Sequence, residues 1–160
     1  MGGQQLVLHE EEFNQLNALC DRLQRESNAK VTLIIDRNGQ VVAASADAVR
    51  MDTVSLASLV AGNVAATGGL AKILGEKDFS VLFHEGEKDH LHITLIGARA
   101  VLVVIFDSRS TLGLVRLRVK KAAEEITRVF EVIVQRSGQQ GAGAITEITD
   151  ADIDSLFSDV

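Results

Sequence analysis

Apolar residues recur at two different spacings in the first 45 positions of the chain. Over residues 10–27 they stand three or four positions apart with polar residues between them, which predicts an amphipathic helix. Two apolar runs, 30–36 and 40–45, then flank the pair Asn38-Gly39, which readily adopts the positive φ angles of a tight hairpin turn. The pattern predicts a helix followed by a β-hairpin. The apolar stripe of this helix is Phe13, Leu16, Cys20 and Leu23.

Two longer helices are predicted further along the chain. Asp52 can cap one that runs to Leu74, because a carboxylate accepts hydrogen bonds from free backbone N–H groups at the positive end of a helix dipole. Gly75 marks the end of that helix. The other covers about 110–135 and carries the most regular apolar stripe of the sequence: Val115, Val119, Ala122, Ile126, Val129 and Ile133.

Three apolar segments, 79–85, 90–96 and 100–106, lie between these two helices and are joined by short links. Sequential strands with short links form an antiparallel meander. The segment 100–106 is apolar almost throughout, so it is expected at the centre of the sheet, with both of its faces covered. The element order predicts an α/β protein of the α+β type that is built on one five-stranded antiparallel sheet.

The sequence predicts three regions. Residues 1–137 form the folded domain, and residues 138–147 contain GQQGAG, whose composition favours a flexible Gly-rich linker. Residues 148–160 are acidic but place Ile153, Leu156 and Phe157 at helical spacing. This last region is expected to be a short amphipathic C-terminal segment, too short to form a stable helix alone.

The overall charge narrows the classes of partner. Sixteen Lys and Arg against 22 Asp and Glu give a net charge of −6, which argues against nucleic acid as a partner. The apolar runs are shorter than the roughly 20 residues of a membrane span, so no membrane span is expected. The N-terminal residues do not form a secretory signal, and Cys20 is the single cysteine. The expected location is therefore the cytoplasm.

No arrangement of residues predicts a catalytic, cofactor or metal site. Cys20 falls on an apolar helix stripe and is expected to be an inert core thiol. A hairpin centred on residues 87–88 puts His90 and His92 on one face of the sheet and His84 on the other. These three are interpreted as exposed strand histidines, with an adventitious metal site as the alternative. Neither 69–77 nor 150–154 satisfies the spacing of a phosphate or calcium loop.

The helix predicted over 53–74 has an unusual outer face. Its sheet-facing stripe is expected to be Leu56, Val60, Val64, Thr67, Ala71 and Leu74. The opposite face, which we call the small-residue face, consists of Ser58, Ala61, Gly62, Ala65, Gly68, Gly69 and Lys72. A solvated helix normally carries charged residues there, and each interior glycine costs about 0.5–1 kcal/mol relative to alanine. The small-residue face therefore indicates a close contact with another chain, with tight packing inside this chain as the alternative.

Three segments carry a resemblance to a known family: TVSLASLVAGNVAATGGLAKILGE, VLVVIFDSRSTLGLVRLRVKKA and DADIDSLFSDV. The chain resembles the roadblock/LC7 family, and within it the bacterial members that regulate a Ras-like small GTPase. The resemblance covers essentially the whole chain. It implies one helix on one face of the sheet and two on the other. It further implies a homodimer in which the sheets join through the third strand and the second helices lie side by side.

The resemblance also implies a function. The GTPase is expected to dock on Ala61, Ala65, Gly68, Gly69 and Lys72, with Ile153, Leu156 and Phe157 making a separate contact. Such proteins are not enzymes; they stimulate hydrolysis by the GTPase without inserting an arginine, and act in cell polarity and gliding motility, at a cell pole in some cases. Insertion of an arginine finger from a loop of this chain is the alternative mechanism. The candidate arginines are Arg37, Arg99 and Arg109. The alternative function is a non-catalytic roadblock scaffold.

Overall fold

The computed structural model describes residues 8–147, with side chains up to residue 138. The helices and strands are α1 (Glu10–Ser27), β1 (Val31–Asp36), β2 (Val41–Ala44), α2 (Thr53–Leu74), β3 (Val81–Glu85), β4 (His90–Ile96), β5 (Ala100–Phe106) and α3 (Leu112–Glu147). A short 3₁₀ helix, Ala46–Arg50, leads from β2 into α2 and was not predicted from the sequence.

The five strands form one antiparallel sheet in the order β2-β1-β5-β4-β3. Strand β5 is central, and every one of its residues is buried. The predicted position of 100–106 is therefore confirmed. The cross-strand pairs Phe83–His92 and Glu85–His90 confirm the register predicted for the β3–β4 hairpin.

Helices cover both faces of the sheet. On one face α1 and α3 pack against residues such as Ile34, Leu102 and Val104. On the other face α2 packs against Leu33 and Val103. Alternate residues of β1 and β5 thus contribute to two separate apolar cores, as the two-residue period of a strand requires. The predicted α+β fold, with one helix on one face and two on the other, is confirmed.

The structure corrects two sequence predictions at the ends of elements. Strand β3 begins at Val81, two positions later than predicted. Helix α3 continues to Glu147, so residues 138–147 are helical and are not the flexible linker that their glycines predicted. Glutamine and alanine between those glycines are good helix formers, and extending an existing helix avoids the cost of nucleation. The division of the chain into regions at 137 and 147 stays a prediction.

Helices α1 and α3 are joined along their length by ion pairs. Arg136 donates two hydrogen bonds to the Glu12 carboxylate, one of them over 2.7 Å, and Arg22 contacts Glu125. The bonds from Arg136 lower the pKa of Glu12, against the effect of its burial. Glu12 is consequently buried in the helix layer, whereas Phe13, expected in the α1 stripe, is 45% exposed.

His92 lies at the buried interface between β4 and α3. Its side chain is 2% exposed, which makes the expectation of an exposed strand histidine wrong for this residue. Its Nδ1 lies 3.3 Å from the Thr94 hydroxyl, and its Nε2 has no hydrogen-bond partner among the described residues. Burial and the nearby positive charge of Arg116 lower the pKa of His92 from 6.5.

We expect His92 to make the protein less stable in mild acid. Below pH 6.5 the unfolded chain takes up a proton on this imidazole, whereas the folded chain stays neutral until its lowered pKa is reached. Well above pH 6.5 the imidazole is neutral in both states and does not affect stability. As the pH falls below 6.5, the free energy of unfolding decreases, by at most about 1.4 kcal/mol for each unit by which folding lowers the pKa of His92. Urea unfolding between pH 7.5 and 5.5 measures this loss. The variant His92→Phe should flatten the dependence, while the control His84→Gln should keep it; equal slopes for all three proteins would contradict the expectation.

Candidate partner interface

The candidate ligand and nucleophile side chains do not come together in the part of the chain that the structure describes. No group of three or more His, Cys, Asp or Glu in residues 8–147 is arranged to hold a metal ion. Cys20 is buried, and this burial raises the pKa of its thiol to about 12, so the thiolate needed for nucleophilic chemistry does not form at neutral pH. His84 lies on the α2 side of the sheet, where its Nε2 is 2.9 Å from Asn63 Nδ2. His90 and His92 lie on the opposite face, so the three histidines do not converge.

Helix α2 is defined by a cap at each end. The backbone N–H of Ser55 donates to Asp52 Oδ1 over 3.2 Å, and the Ser55 hydroxyl donates to Oδ2 over 2.7 Å. These two bonds lower the pKa of Asp52. At the other end Gly75 adopts φ 77°, which allows its N–H to reach back to the last turn. Both predicted caps are confirmed.

Little of α2 is buried in this chain. Only Ala57, Val60, Val64 and Ala71 are buried among its 22 residues. Leu74, expected to face the sheet, is 68% exposed because the helix ends there, beyond the sheet-facing turns. By length and composition alone α2 could cross a membrane, contrary to the expectation from the sequence. In this fold its buried turns instead pack against the sheet.

The small-residue face points away from the sheet. Ala65, Gly69 and Lys72 are exposed, and a Cβ added at Gly69 would meet no atom within 4 Å. Ala61 and Gly68 are half-buried because other segments approach them. The five candidate partner-binding residues therefore lie along one side of α2, three of them open to solvent. Close packing within this chain, which was the alternative, is found at Ala61, next to the turn at Gly39, whereas a Cβ built on Gly68 would meet only Asp78 Oδ1, at 3.9 Å.

The turn between β1 and β2 lies directly against the first half of α2. Gly39 has φ 90°, and a Cβ built on it would stand 3.0 Å from Ser58 Cα and 3.4 Å from Ala61 Cβ. Glycine is therefore required here both by the backbone conformation and by the close approach. The same turn carries Arg37, whose guanidinium is 3.8 Å from Asp78 and donates to the Gly97 carbonyl over 3.5 Å.

Helix α2 has a second exposed strip, of large apolar side chains, which the sequence pattern had not predicted. Leu59, Leu70 and Ile73, which we call the apolar flank, are 73%, 58% and 83% exposed. They fall on the side of α2 that carries Asn63, and Asn63 contacts His84 of β3. The signal was present in the sequence, because 59, 70 and 73 are separated by whole turns of a helix.

The two edges of the sheet differ. At the end of β2, the backbone N–H of Ala44 donates a hydrogen bond to Asn17 Oδ1 of α1 over 3.0 Å, and just beyond it the N–H of Ala46 donates to Asp21 Oδ1 over 2.8 Å. On β3, by contrast, the Ser80 carbonyl accepts from Leu95, so alternation leaves the backbone groups of Val81, Phe83 and Glu85 directed outward. Strand β3 is thus the edge that can pair with another strand.

The three loop arginines differ in their contacts. Arg109 donates three side-chain hydrogen bonds to Asp107, which raises its pKa and lowers that of Asp107. Arg37 is held by Asp78 and Gly97 as described above. Arg99 is exposed, and no side-chain partner for it is found among the described residues.

The other candidate contact lies outside the described residues. Ile153, Leu156 and Phe157 belong to the segment 148–160. Their predicted helix and their predicted contact stay predictions.

Comparison with known proteins identifies the fold. The Roadblock/LC7 domain family matches residues 15–106. Among solved structures, Myxococcus xanthus MglB is 57% identical, with a TM-score of 0.75 over 79% of this chain and 96% of that chain. The gliding protein MglB from Thermus thermophilus is 38% identical, with a TM-score of 0.73 over 79% and 96%.

A third solved structure, described as MglB with a tetrameric arrangement, is 38% identical, with a TM-score of 0.74 over 81% of this chain and 97% of that chain. No curated protein sequence matches the chain. The residues that the family matches contain all five strands, α2 and most of α1. The similarity to the MglB structures extends over most of both chains. The chain therefore belongs to the Roadblock/LC7 domain family.

Proposed function

We propose that this protein is a regulatory partner of a Ras-like small GTPase of the MglA type and stimulates its GTP hydrolysis. The observation that carries the proposal is the exposed small-residue face of α2, in a chain 57% identical to Myxococcus xanthus MglB. Small side chains let a partner's backbone approach closely, and their low conformational entropy makes them inexpensive to bury. The protein's place would be the cytoplasm, at a cell pole, in cell polarity and gliding motility.

The protein acts as a homodimer in this proposal. The apolar flank of α2 lies on the side of the helix that faces β3, whose outward backbone groups are unpaired in the single chain. Joining two β3 strands would satisfy these groups and bring the apolar flanks of the two copies together. Each fully buried leucine or isoleucine would contribute about 1.5–3 kcal/mol. The small-residue face is a different side of α2 and would remain open for the GTPase.

Charges on the apolar flank should separate the homodimer. We expect light scattering to give twice 17.2 kDa for the wild type and 17.2 kDa for the double variant Leu59→Glu, Ile73→Glu. Both residues are largely exposed in the single chain, so the fold should survive, which circular dichroism checks. The matched control is Leu117→Glu, 63% exposed on α3, which covers the face of the sheet opposite α2. A wild-type mass of 17.2 kDa at micromolar concentration would refute the homodimer.

Long charged side chains on the small-residue face should block docking of the GTPase. The variant Ala65→Arg, Gly69→Arg is expected to weaken binding at least a hundredfold in a calorimetric titration, because both positions are exposed and central to the face. Gly69 has open space around it, so the added side chain does not disturb the core. Gly113→Arg, at an equally open glycine of α3, is the control that should bind normally. Unchanged affinity of the double variant would show that this face is not the docking site.

The mechanism of stimulation is expected not to use an arginine from this chain. Arg37 and Arg109 are held by their own acidic neighbours, so entering a GTPase site would require these contacts to break. Each of Arg37→Ala, Arg99→Ala and Arg109→Ala should change the saturated single-turnover rate by less than about tenfold. An inserted finger would instead contribute about 10³–10⁵. A thousandfold loss in one variant with intact binding would establish the finger mechanism. If the wild type did not stimulate GTP hydrolysis at all, the alternative function, a non-catalytic roadblock scaffold, would be supported instead.

A further inference from the structure

A groove lies between α1 and α3, on the face of the sheet opposite α2. Its cavity volume is about 550 Å³. The floor is apolar and consists of Leu19 and Val129, both buried, and the exposed Val132 borders it. Three guanidinium groups line the walls, from Arg22, Arg25 and Arg128.

The charges of this α1–α3 groove do not cancel. Its two carboxylates are already engaged, Glu12 by Arg136 and Glu125 by Arg22. No acidic partner for Arg25 or Arg128 is found in the part of the chain that the structure describes. The groove therefore offers an apolar floor with two uncompensated positive charges, which suits an acidic segment that carries large apolar side chains.

We propose that residues 148–160 of the same chain occupy the α1–α3 groove when no partner is bound. This segment has four aspartates, no lysine or arginine, and the apolar residues Ile153, Leu156 and Phe157. It follows directly after α3, which forms one wall of the groove. Tethering of this kind raises the effective concentration to the millimolar range for a short connection. A weak contact would therefore be well populated.

The lengths restrict how the segment can bind. At 1.5 Å per residue, Glu147 stands about 28 Å beyond Arg128 along α3. A helix over residues 148–160 would span only about 20 Å, whereas Phe157 in an extended chain reaches about 33 Å from Glu147. Docking over Arg128 therefore requires an extended segment. In the arrangement that we propose it runs back along α3 with Phe157 over the apolar floor, since neighbouring side chains of an extended chain point to opposite sides, and with Asp154 and Asp159 near the guanidinium groups of the walls.

The test measures a distance within the full-length chain. Spin labels on the variant Asn14→Cys, Ser158→Cys report the separation of α1 from the segment by pulsed electron resonance. The native Cys20 stays unlabelled because it is buried. We expect one short, narrow distance distribution in the unbound protein. The charge reversal Arg25→Glu, Arg128→Glu should broaden and lengthen it, as should Asp154→Lys, Asp159→Lys.

The charge swap decides the outcome. Combining the two reversals should restore the short distance, because the attraction is then re-created with opposite signs. The matched control, Lys88→Glu with Lys120→Glu, changes the net charge equally on exposed residues outside the groove and should leave the distance unchanged. A broad distribution in the wild type, an equal effect of the control, or failure of the swap would overturn the proposal. No GTPase is present in this experiment, so its result is separate from that of the proposed function.

Discussion

The burial of β5 on both faces is the constraint on which the rest of this structure depends. A central strand whose residues are all buried requires a helical layer on each side of the sheet. Two helices, α1 and α3, cover one side and are linked by the ion pairs Glu12–Arg136 and Arg22–Glu125. The other side has α2 alone. A single helix can present only part of its surface to a sheet, so most of α2 is left facing outward.

The exposed parts of the molecule are consequently concentrated on α2 and its neighbouring edge. The β2 edge is closed by Asn17 and Asp21, which take up backbone donors that another strand would use. The β3 edge has no such cover among the described residues. Selective closure of one edge directs pairing to the other, which is how sheet proteins avoid open-ended aggregation. The apolar flank and the small-residue face make up much of the remaining surface of α2, and the proposed homodimer and the proposed GTPase contact would each use one of them.

The fold was predictable from the sequence because most of its signals are local. Asp52 and Gly75 define α2 by capping chemistry, and the register of the β3–β4 hairpin follows from its turn. The failures involve effects that depend on neighbours in space. Glu12 replaces Phe13 in the interior because Arg136, far along the chain, neutralises it. His92 is buried because α3 lies over it, and composition around 138–147 could not show that an existing helix would continue.

The candidate interface was predicted in part. The absence of charge on one side of α2 drew attention to Ala65 and Gly69, and the structure leaves both open to solvent. Leu59, Leu70 and Ile73 were overlooked because leucine and isoleucine are ordinarily assigned to a core. Their exposure becomes evident only when the width of the sheet beneath α2 is known. Sequence patterns can indicate that a helix is amphipathic, but the number of its faces that remain uncovered depends on the packing partners.

The contact at Gly39 has a mechanical consequence. Since this turn touches Ser58 and Ala61 without an intervening side chain, the β1–β2 hairpin and the first half of α2 have no free space between them in which to slide. Any tilt of α2 towards the hairpin must displace the turn, and with it Arg37 and the link to Asp78. The β1–β2 hairpin thus sterically limits movement of the first half of α2 towards it. A molecule pressing on the small-residue face would meet a surface that resists deformation at this end.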